Sequence, residues 1–209
     1  DFRLSGAVTG RLSCKEPNLQ NIPRDEDERG VNPFRKMFLP DEGDVLIEAD
    51  YSQIELRVLA FYTGDSSLID SFKRGDDIHA SVASRLFGVS MEDVTKQQRA
   101  TAKGVNFGVV YGESEYGLAR SLGIEVEEAA GIIADFFAAY PSVRAAQEKI
   151  VEFGKRHGWV PTPTGSWRML ENLRMEVTTQ EKRKLVGEAC RQAVNTPFQG
   201  AASDITQYA

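Results

Sequence analysis

The sequence predicts an α+β fold that is mostly helical, with one small sheet. Three observations carry that expectation. From Asp76 onward, apolar residues recur at helical spacing between capping residues, glycines and prolines. Ahead of that region, the run Val45-Leu46-Ile47-Glu48-Ala49-Asp50 is β-branched and apolar, and reads as a buried strand. Late in the chain, Trp159 to Leu170 carries Pro161, Pro163 and Gly165 and reads as a hairpin.

The elements follow in order. Residues 1 to 40 read as loops and short strands, punctuated by Gly10, Pro17, Pro23, Gly30, Pro33 and Pro40. After the Val45–Asp50 strand the period changes: Ile54, Val58 and Phe61 or Tyr62 recur at helical spacing, and Ser52 with Glu55 forms a capping box. A short helix over His79 to Leu86 ends at Gly88. Thr95 and Gln98 make a second box, opening a helix that runs to about Tyr111. Glu125 to Tyr140 is an amphipathic helix stopped by Pro141, and Ser142 to His157 is another, stopped by Gly158. Thr178 to Val194 is a helix boxed by Thr178 and Glu181. Pro197 breaks or kinks it before a last helical piece from Gly200.

Composition bounds the function. Of 209 residues, 41% are hydrophobic and 27% charged, enough for an ordinary globular core. No apolar run approaches the ~18 residues of a membrane span, so no membrane is expected as a partner. The two cysteines, Cys14 and Cys190, belong to no metal-spaced cluster, and a reducing, intracellular setting is the default. The net charge of −6 argues mildly against a nucleic-acid partner, which needs Lys and Arg against phosphate. Local clustering outweighs the total, however. The acids crowd into Asp25–Glu28 and Glu125–Glu128, while basic residues recur where a helix lines them up.

Several groups of residues could carry chemistry. Asp50, at the carboxyl end of the expected strand, either starts a turn or holds Mg²⁺, a hard cation that takes oxygen ligands. Glu55 either caps its helix or brings a carboxylate near an incoming sugar. Arg99, Lys103, Phe107 and Tyr111 stand four apart on one helix face, cations first and aromatics after. Cations suit the oxygens of a triphosphate and a flat ring stacks on a base. Gly104, Gly108 and Gly112 leave an adjoining stripe nearly bare, at a cost of roughly 1 kcal/mol each relative to Ala, as if something must approach closely. Packing through small residues is the plainer reading. Arg191, Asn195 and Gln199 make either an exposed polar face or a set of contacts to phosphates, sugars and base edges. His79, after Asp76 and Asp77, is a metal ligand, a phosphate contact or simply a helix-start residue.

Five stretches in order resemble the family A DNA polymerases, the bacterial DNA polymerase I type and its bacteriophage relatives. Asp50-Tyr51-Ser52-Gln53-Ile54-Glu55-Leu56-Arg57 is similar to the family's motif A. Arg99, Lys103, Phe107, Tyr111 and Gly112 are similar to motif B. Thr9-Gly10-Arg11-Leu12-Ser13 and Pro17-Asn18-Leu19-Gln20-Asn21-Ile22-Pro23 resemble two further signatures, and Arg191, Asn195, Gln199 and Gly200 a late helix. The resemblance implies template-directed transfer of a dNTP to a primer 3′-oxygen. It implies a mostly helical fingers part and a small antiparallel palm sheet. Residues 1–70 and 172–209 would be palm, and residues 71–171 fingers.

The resemblance also assigns roles. Asp50, with the carbonyl of Tyr51, would bind both ions of a two-Mg²⁺ site. Glu55 would be a steric gate against a ribose 2′-hydroxyl. His79, Arg99 and Lys103 would hold the triphosphate, Phe107 would pack on sugar and base, and Tyr111 would guard the templating position. Arg11, Asn18, Gln20, Arg191, Asn195 and Gln199 would touch primer–template DNA. Arg168 would join them, although an arginine-rich turn of the family reads Gly165-Ser166-Trp167-Arg168 here. The family's motif C, with its second metal-binding Asp, is not in the sequence. The palm is therefore expected to be incomplete at its C-terminal end, and the remainder of a polymerase chain (motif C and thumb) to be a partner. The chain alone is expected to be inactive and to self-associate through an open sheet edge. A bacterial cytoplasm or a phage-infected host is the implied setting. A single-subunit RNA polymerase relative and a non-catalytic nucleotide- or DNA-binding fragment are the rival readings; Glu55 speaks against the former.

Overall fold

The structure, a computed structural model, describes residues 1–3, 6–22, 34 and 37–208. The expected turn residues Pro23, Gly30 and Pro33 and the acidic run Asp25–Glu28 lie outside the described residues. The chain forms two compact units, Asp1–Ile54 and Glu55–Ala209.

In the first unit, strand β1 (Phe2–Arg3) pairs antiparallel with β2 (Ser13–Cys14), Phe2 opposite Cys14 and Arg3 opposite Ser13. The Cys14 side chain is buried, and its thiol donates to the Pro17 carbonyl at 3.3 Å. Beyond it, Leu19–Asn21 makes a single 3₁₀ turn. The Asn18 side chain accepts from the Gln20 amide at 3.2 Å, and the Gln20 side chain donates to the Leu12 carbonyl at 3.1 Å. Two of the expected DNA contacts thus shape their own loop.

The strand expected over Val45–Asp50 does not form. Residues 45–50 have no regular structure, and Val45, Leu46 and Ile47 are 78%, 67% and 87% exposed. A strand needs a neighbour for its N–H and C=O groups. Among the described residues, the strand pairs are β1–β2 and β3–β4, and neither includes this run.

The second unit is helical. Helix α1 (Ile54–Thr63) starts directly after Gln53, whose φ is 55°, with Glu55 in its first turn. Helix α2 (Ser66–Arg74), not foreseen from sequence, is bounded by the Asp65 cap and a left-handed Gly75. Asp65 is 2% exposed and serves two helices: one oxygen accepts from the Leu68 amide at 3.1 Å, the other from the Ser142 amide at 3.2 Å. Helix α3 (Ile78–Phe87) is capped by Asp77 and ends at Gly88. Helix α4 (Lys96–Val110) opens on the Thr95–Gln98 box as expected. A second unforeseen helix, α5 (Glu115–Leu122), lies between Ser114 and Gly123.

Helices α6 (Val126–Ala139) and α7 (Pro141–His157) follow; α6 ends before Pro141 as expected, and Pro141 is itself the first residue of α7. The hairpin pairs β3 (Trp159–Pro161) with β4 (Trp167–Met169). Helix α8 (Gln180–Tyr208) is capped by Thr179, whose hydroxyl accepts from the Lys182 amide at 3.2 Å, one residue later than the sequence suggests.

Helix α8 also runs through Pro197 without a break. An interior proline forfeits one N–H bond and costs ~3 kcal/mol. Here packing offsets it: Ala193, Val194, Thr196, Pro197, Phe198 and Gly200 through Ser203 are all buried. Phe198 is 0% exposed and meets Tyr62 edge-on at 5.5 Å. At Gly200 a Cβ would sit 2.5 Å from the Thr162 methyl, so the helix passes hard against the hairpin. Among the described residues no helix is long and apolar enough to cross a membrane.

Candidate functional site

Helix α4 sets the site. Its interior stripe, Ala102, Val105, Asn106, Val109 and Val110, is at most 2% exposed. Arg99, Lys103, Phe107 and Tyr111 lie on the side this stripe leaves open. Steps of four residues overshoot a turn by about 40°, so the row winds slowly around the helix. Arg99 is fixed by Asp77, with Nε 2.5 Å from Oδ2. The other Asp77 oxygen accepts from the amides of His79 at 3.0 Å and Ala80 at 3.1 Å. One carboxylate therefore caps α3 and ties Arg99 to the start of the helix that carries His79. Burial raises the Asp77 carboxyl, but the Arg99 hydrogen bond, the Ala80 amide and the Arg99 and His79 charges outweigh it and hold it below its usual range.

His79 is 1% exposed and lies 2.9 Å from the Asn106 amide through Nδ1. Burial lowers its pKa to about 4, helped by Arg99 and Lys103 and opposed by Asp77, so the ring is neutral at physiological pH. Its ring packs 5.8 Å from Phe107, and Phe107 lies 5.8 Å from Tyr111. The Lys103 ammonium is 5.9 Å from the Phe107 ring. At the far end, the Tyr111 hydroxyl donates to Oε2 of Glu55 on α1. Glu55, Tyr111, Phe107, His79, Asp77 and Arg99 thus form one connected row across three helices.

The glycines beside this row serve separate ends. A Cβ on Gly104 meets nothing within 4 Å, which leaves that stretch open to close approach. Gly108 lies under the Glu113 carboxylate, where a Cβ would come within 2.3 Å of it. Gly112, at φ 76°, follows the helix end. The bare stripe expected from sequence is bare at Gly104, covered at Gly108 and a turn at Gly112.

The late-helix residues reach the end of α4. Arg191 is exposed, and its Cγ is 3.8 Å from where a Gly112 Cβ would stand. Gln147 on α7 donates to the last α4 carbonyls, Val109 at 3.2 Å and Val110 at 3.0 Å. A cavity of about 600 Å³ opens here, lined by Gly112, Gln147, Lys155, Gly187, Cys190 and Arg191 among others. Burial pushes the Cys190 thiol up, against Lys155 and Arg191. Asn195 and Gln199 are half-buried farther along α8, and the Asn195 oxygen has no partner. Arg168 shares a face of the hairpin with the buried Val160, its cross-strand partner. Burial lowers its pKa while Glu188 raises it.

Asp50 and Tyr51 belong to the first unit and are both exposed, and Arg11 lies exposed in the loop before β2. Among the described residues no group of three His, Cys, Asp or Glu could hold a metal. The metal reading of His79 finds no support either, since Arg99 holds Asp77 and Arg74 holds Asp76 at 2.6 Å. Two residues bonded to the row or within it, Asp77 and Asn106, were not singled out from sequence as site residues. Asp77 was legible as a cap one residue before the helix. Asn106 was legible as the one amide in an otherwise apolar interior stripe.

The family model for DNA polymerase family A matches residues 1–209. The chain belongs to DNA polymerase family A. Its relatives include the DNA polymerase I of Caldicellulosiruptor bescii, 45% identical over 100% of this chain and 24% of that protein. That of Chloroflexus aurantiacus is 48% identical over 98% of this chain and 21% of the relative. Among solved structures, the POL domain of Pol1 from M. smegmatis, in complex with DNA primer-template and dNTP, matches with a TM-score of 0.84. It is 38% identical over 99% of this chain and 35% of that one. This family A chain spans about a quarter of the length of the curated relatives it matches.

Proposed function

We propose that the full-length protein carrying this chain is a template-directed DNA polymerase, and that the α4 row is where it binds the incoming dNTP. The observation that carries the reading is the row itself. Arg99 and Lys103 offer positive charge, His79 a neutral nitrogen donor, and Phe107 and Tyr111 two rings in line with them. A triphosphate, a sugar and a base have that order of chemistry. In this reading Arg99, Lys103 and His79 hold the phosphates and Phe107 packs on the sugar and base. Tyr111 guards the templating position, and Glu55, held by the Tyr111 hydroxyl, blocks a 2′-hydroxyl.

Asp50, with the Tyr51 carbonyl, would hold Mg²⁺. Its exposed carboxylate fits an ion that takes one or two carboxylates and fills its shell with water and substrate phosphates. When bound, the ion would neutralise charge on the reacting phosphate. Arg11, Asn18, Gln20, Arg168, Arg191, Asn195 and Gln199 would contact primer–template DNA. Residues 1–70 and 172–209 would serve as palm and residues 71–171 as fingers, at work in a bacterial cytoplasm or a phage-infected host.

The test is primer extension by the full-length protein with each dNTP or rNTP, with and without Mg²⁺. Template-matched, Mg²⁺-dependent addition of deoxynucleotides is the expected result. No addition, or a preference for ribonucleotides, would refute the reading.

A further inference from the structure

Asn106 stands where an apolar residue would cost less. It is 0% exposed, in the stripe that α4 turns inward between Ala102, Val105 and Val109. A buried amide is tolerated when both ends are hydrogen-bonded. Here Nδ2 lies 2.9 Å from His79 Nδ1, while Oδ1 has no partner. Presenting the amide the other way would satisfy Oδ1 with a proton on Nδ1.

The two orientations leave different histidines. With Nδ2 donating, Nδ1 is an acceptor, and a neutral ring carries its proton on Nε2. With the amide reversed, the proton sits on Nδ1 and Nε2 is a bare lone pair. The ring is neutral because burial, Arg99 and Lys103 outweigh Asp77. It therefore has one N–H to give, and the Asn106 bond decides which nitrogen gives it. Only Nε2–H, on the edge of the ring away from Asn106, can donate to a phosphate oxygen. A bare Nε2 would repel it.

We propose that Asn106 is a positioning residue that fixes His79 as the Nε2–H tautomer, making it a neutral donor to the triphosphate beside the cations Arg99 and Lys103. The unpartnered Oδ1 is the cost of that orientation. This rests on the reading of α4 as the dNTP face.

Two measurements on the full-length protein test it. Nitrogen-15 NMR of the His79 ring near neutral pH, on the unsubstituted protein, should show protonated Nε2 and unprotonated Nδ1. A predominant Nδ1–H form would overturn the proposal. In the second, Asn106→Asp keeps a bridge between α3 and α4 but reverses it, since a carboxylate accepts from Nδ1–H. Because a facing carboxylate also raises the imidazole pKa, the comparison is made at a pH where nitrogen-15 NMR shows the variant's His79 ring neutral. With primer–template saturating, the KM for dNTP should rise at least about tenfold, the scale of one hydrogen bond to a charged group. A purely structural bridge predicts an unchanged KM. Lys103→Ala, run in parallel, separates the two claims. If Lys103→Ala is impaired and Asn106→Asp is not, the Asn106 proposal falls alone. If Lys103→Ala binds dNTP normally, the nucleotide face falls and the proposal with it.

Discussion

Lowering the pH should loosen the helical unit through His79 before Asp77 protonates. The ring is 1% exposed, and its pKa drops from 6.5 to about 4 on folding. Between those values the unfolded chain binds a proton that the folded chain refuses, so stability falls as pH falls through this window. The groups that set the shift are the burial itself, then Asp77, Arg99 and Lys103. For one such group, going from about pH 7.5 to about pH 4.5 removes about 2.5 kcal/mol. In melting temperature that is roughly 5–10 °C for a chain of this size. Asp77, whose pKa is lowered from 3.8, contributes stability that is lost only as pH falls through that lower range, so a floor near pH 4.5 keeps it out of the comparison.

The assay is thermal or urea unfolding across that window for the chain and for His79→Gln, which has no proton to take up. The unsubstituted chain should lose about 2.5 kcal/mol more than the variant. Parallel pH profiles would refute the argument, because they would mean that His79 titrates alike in both states.

Three further substitutions follow from the same geometry. Glu55→Ala should raise ribonucleotide incorporation by the full-length protein at least about tenfold, the equivalent of ~1.4 kcal/mol of lost steric rejection; unchanged sugar selectivity would show that Glu55 only anchors Tyr111. Gly104→Ala puts a methyl into open space. It should stabilise α4 by about 0.5–1 kcal/mol and yet slow incorporation, whereas a gain in both would mean that nothing approaches that stripe. Gly154→Ala sets a Cβ 2.5 Å from Leu173 Cδ1 and 3.1 Å from Val160 Cγ2. A loss of about 1–3 kcal/mol should appear in unfolding, with no change in nucleotide preference; an unchanged melting temperature would contradict the close packing of α7 on the hairpin.

What the sequence makes legible follows the range of the forces involved. The Thr95–Gln98 box and the glycine ends of α3 and α7 are local, and they stand where the sequence puts them. The row Arg99, Lys103, Phe107, Tyr111 is likewise a matter of helical period. Helices α2 and α5 are short, but their signals are equally local: the caps Asp65 and Ser114 and the left-handed closing glycines Gly75 and Gly123.

Other features depend on partners far away in the sequence. Val45–Asp50 has the composition of a strand, but composition supplies no neighbour to pair with. Pro197 reads as a break because its cost is local, while the burial that offsets it comes from the hairpin and α1. The Glu55–Tyr111 bond spans two helices, and at sequence level Glu55 looks like a cap. Asn106 meets His79 across the α3–α4 contact, a pairing that no spacing along one helix reveals.

The central claim is that the α4 row binds the triphosphate, and Lys103 tests it most directly. Single-turnover incorporation should be measured for Lys103→Ala in the full-length protein, with primer–template saturating and dNTP varied. Loss of a cation aimed at phosphates that gather charge should cost at least about a hundredfold in the incorporation rate at limiting dNTP. The Kd for primer–template should stay within a few-fold. A near-normal rate across the dNTP range would contradict the account, because it would leave Lys103 as no more than a solvated residue on an exposed helix face.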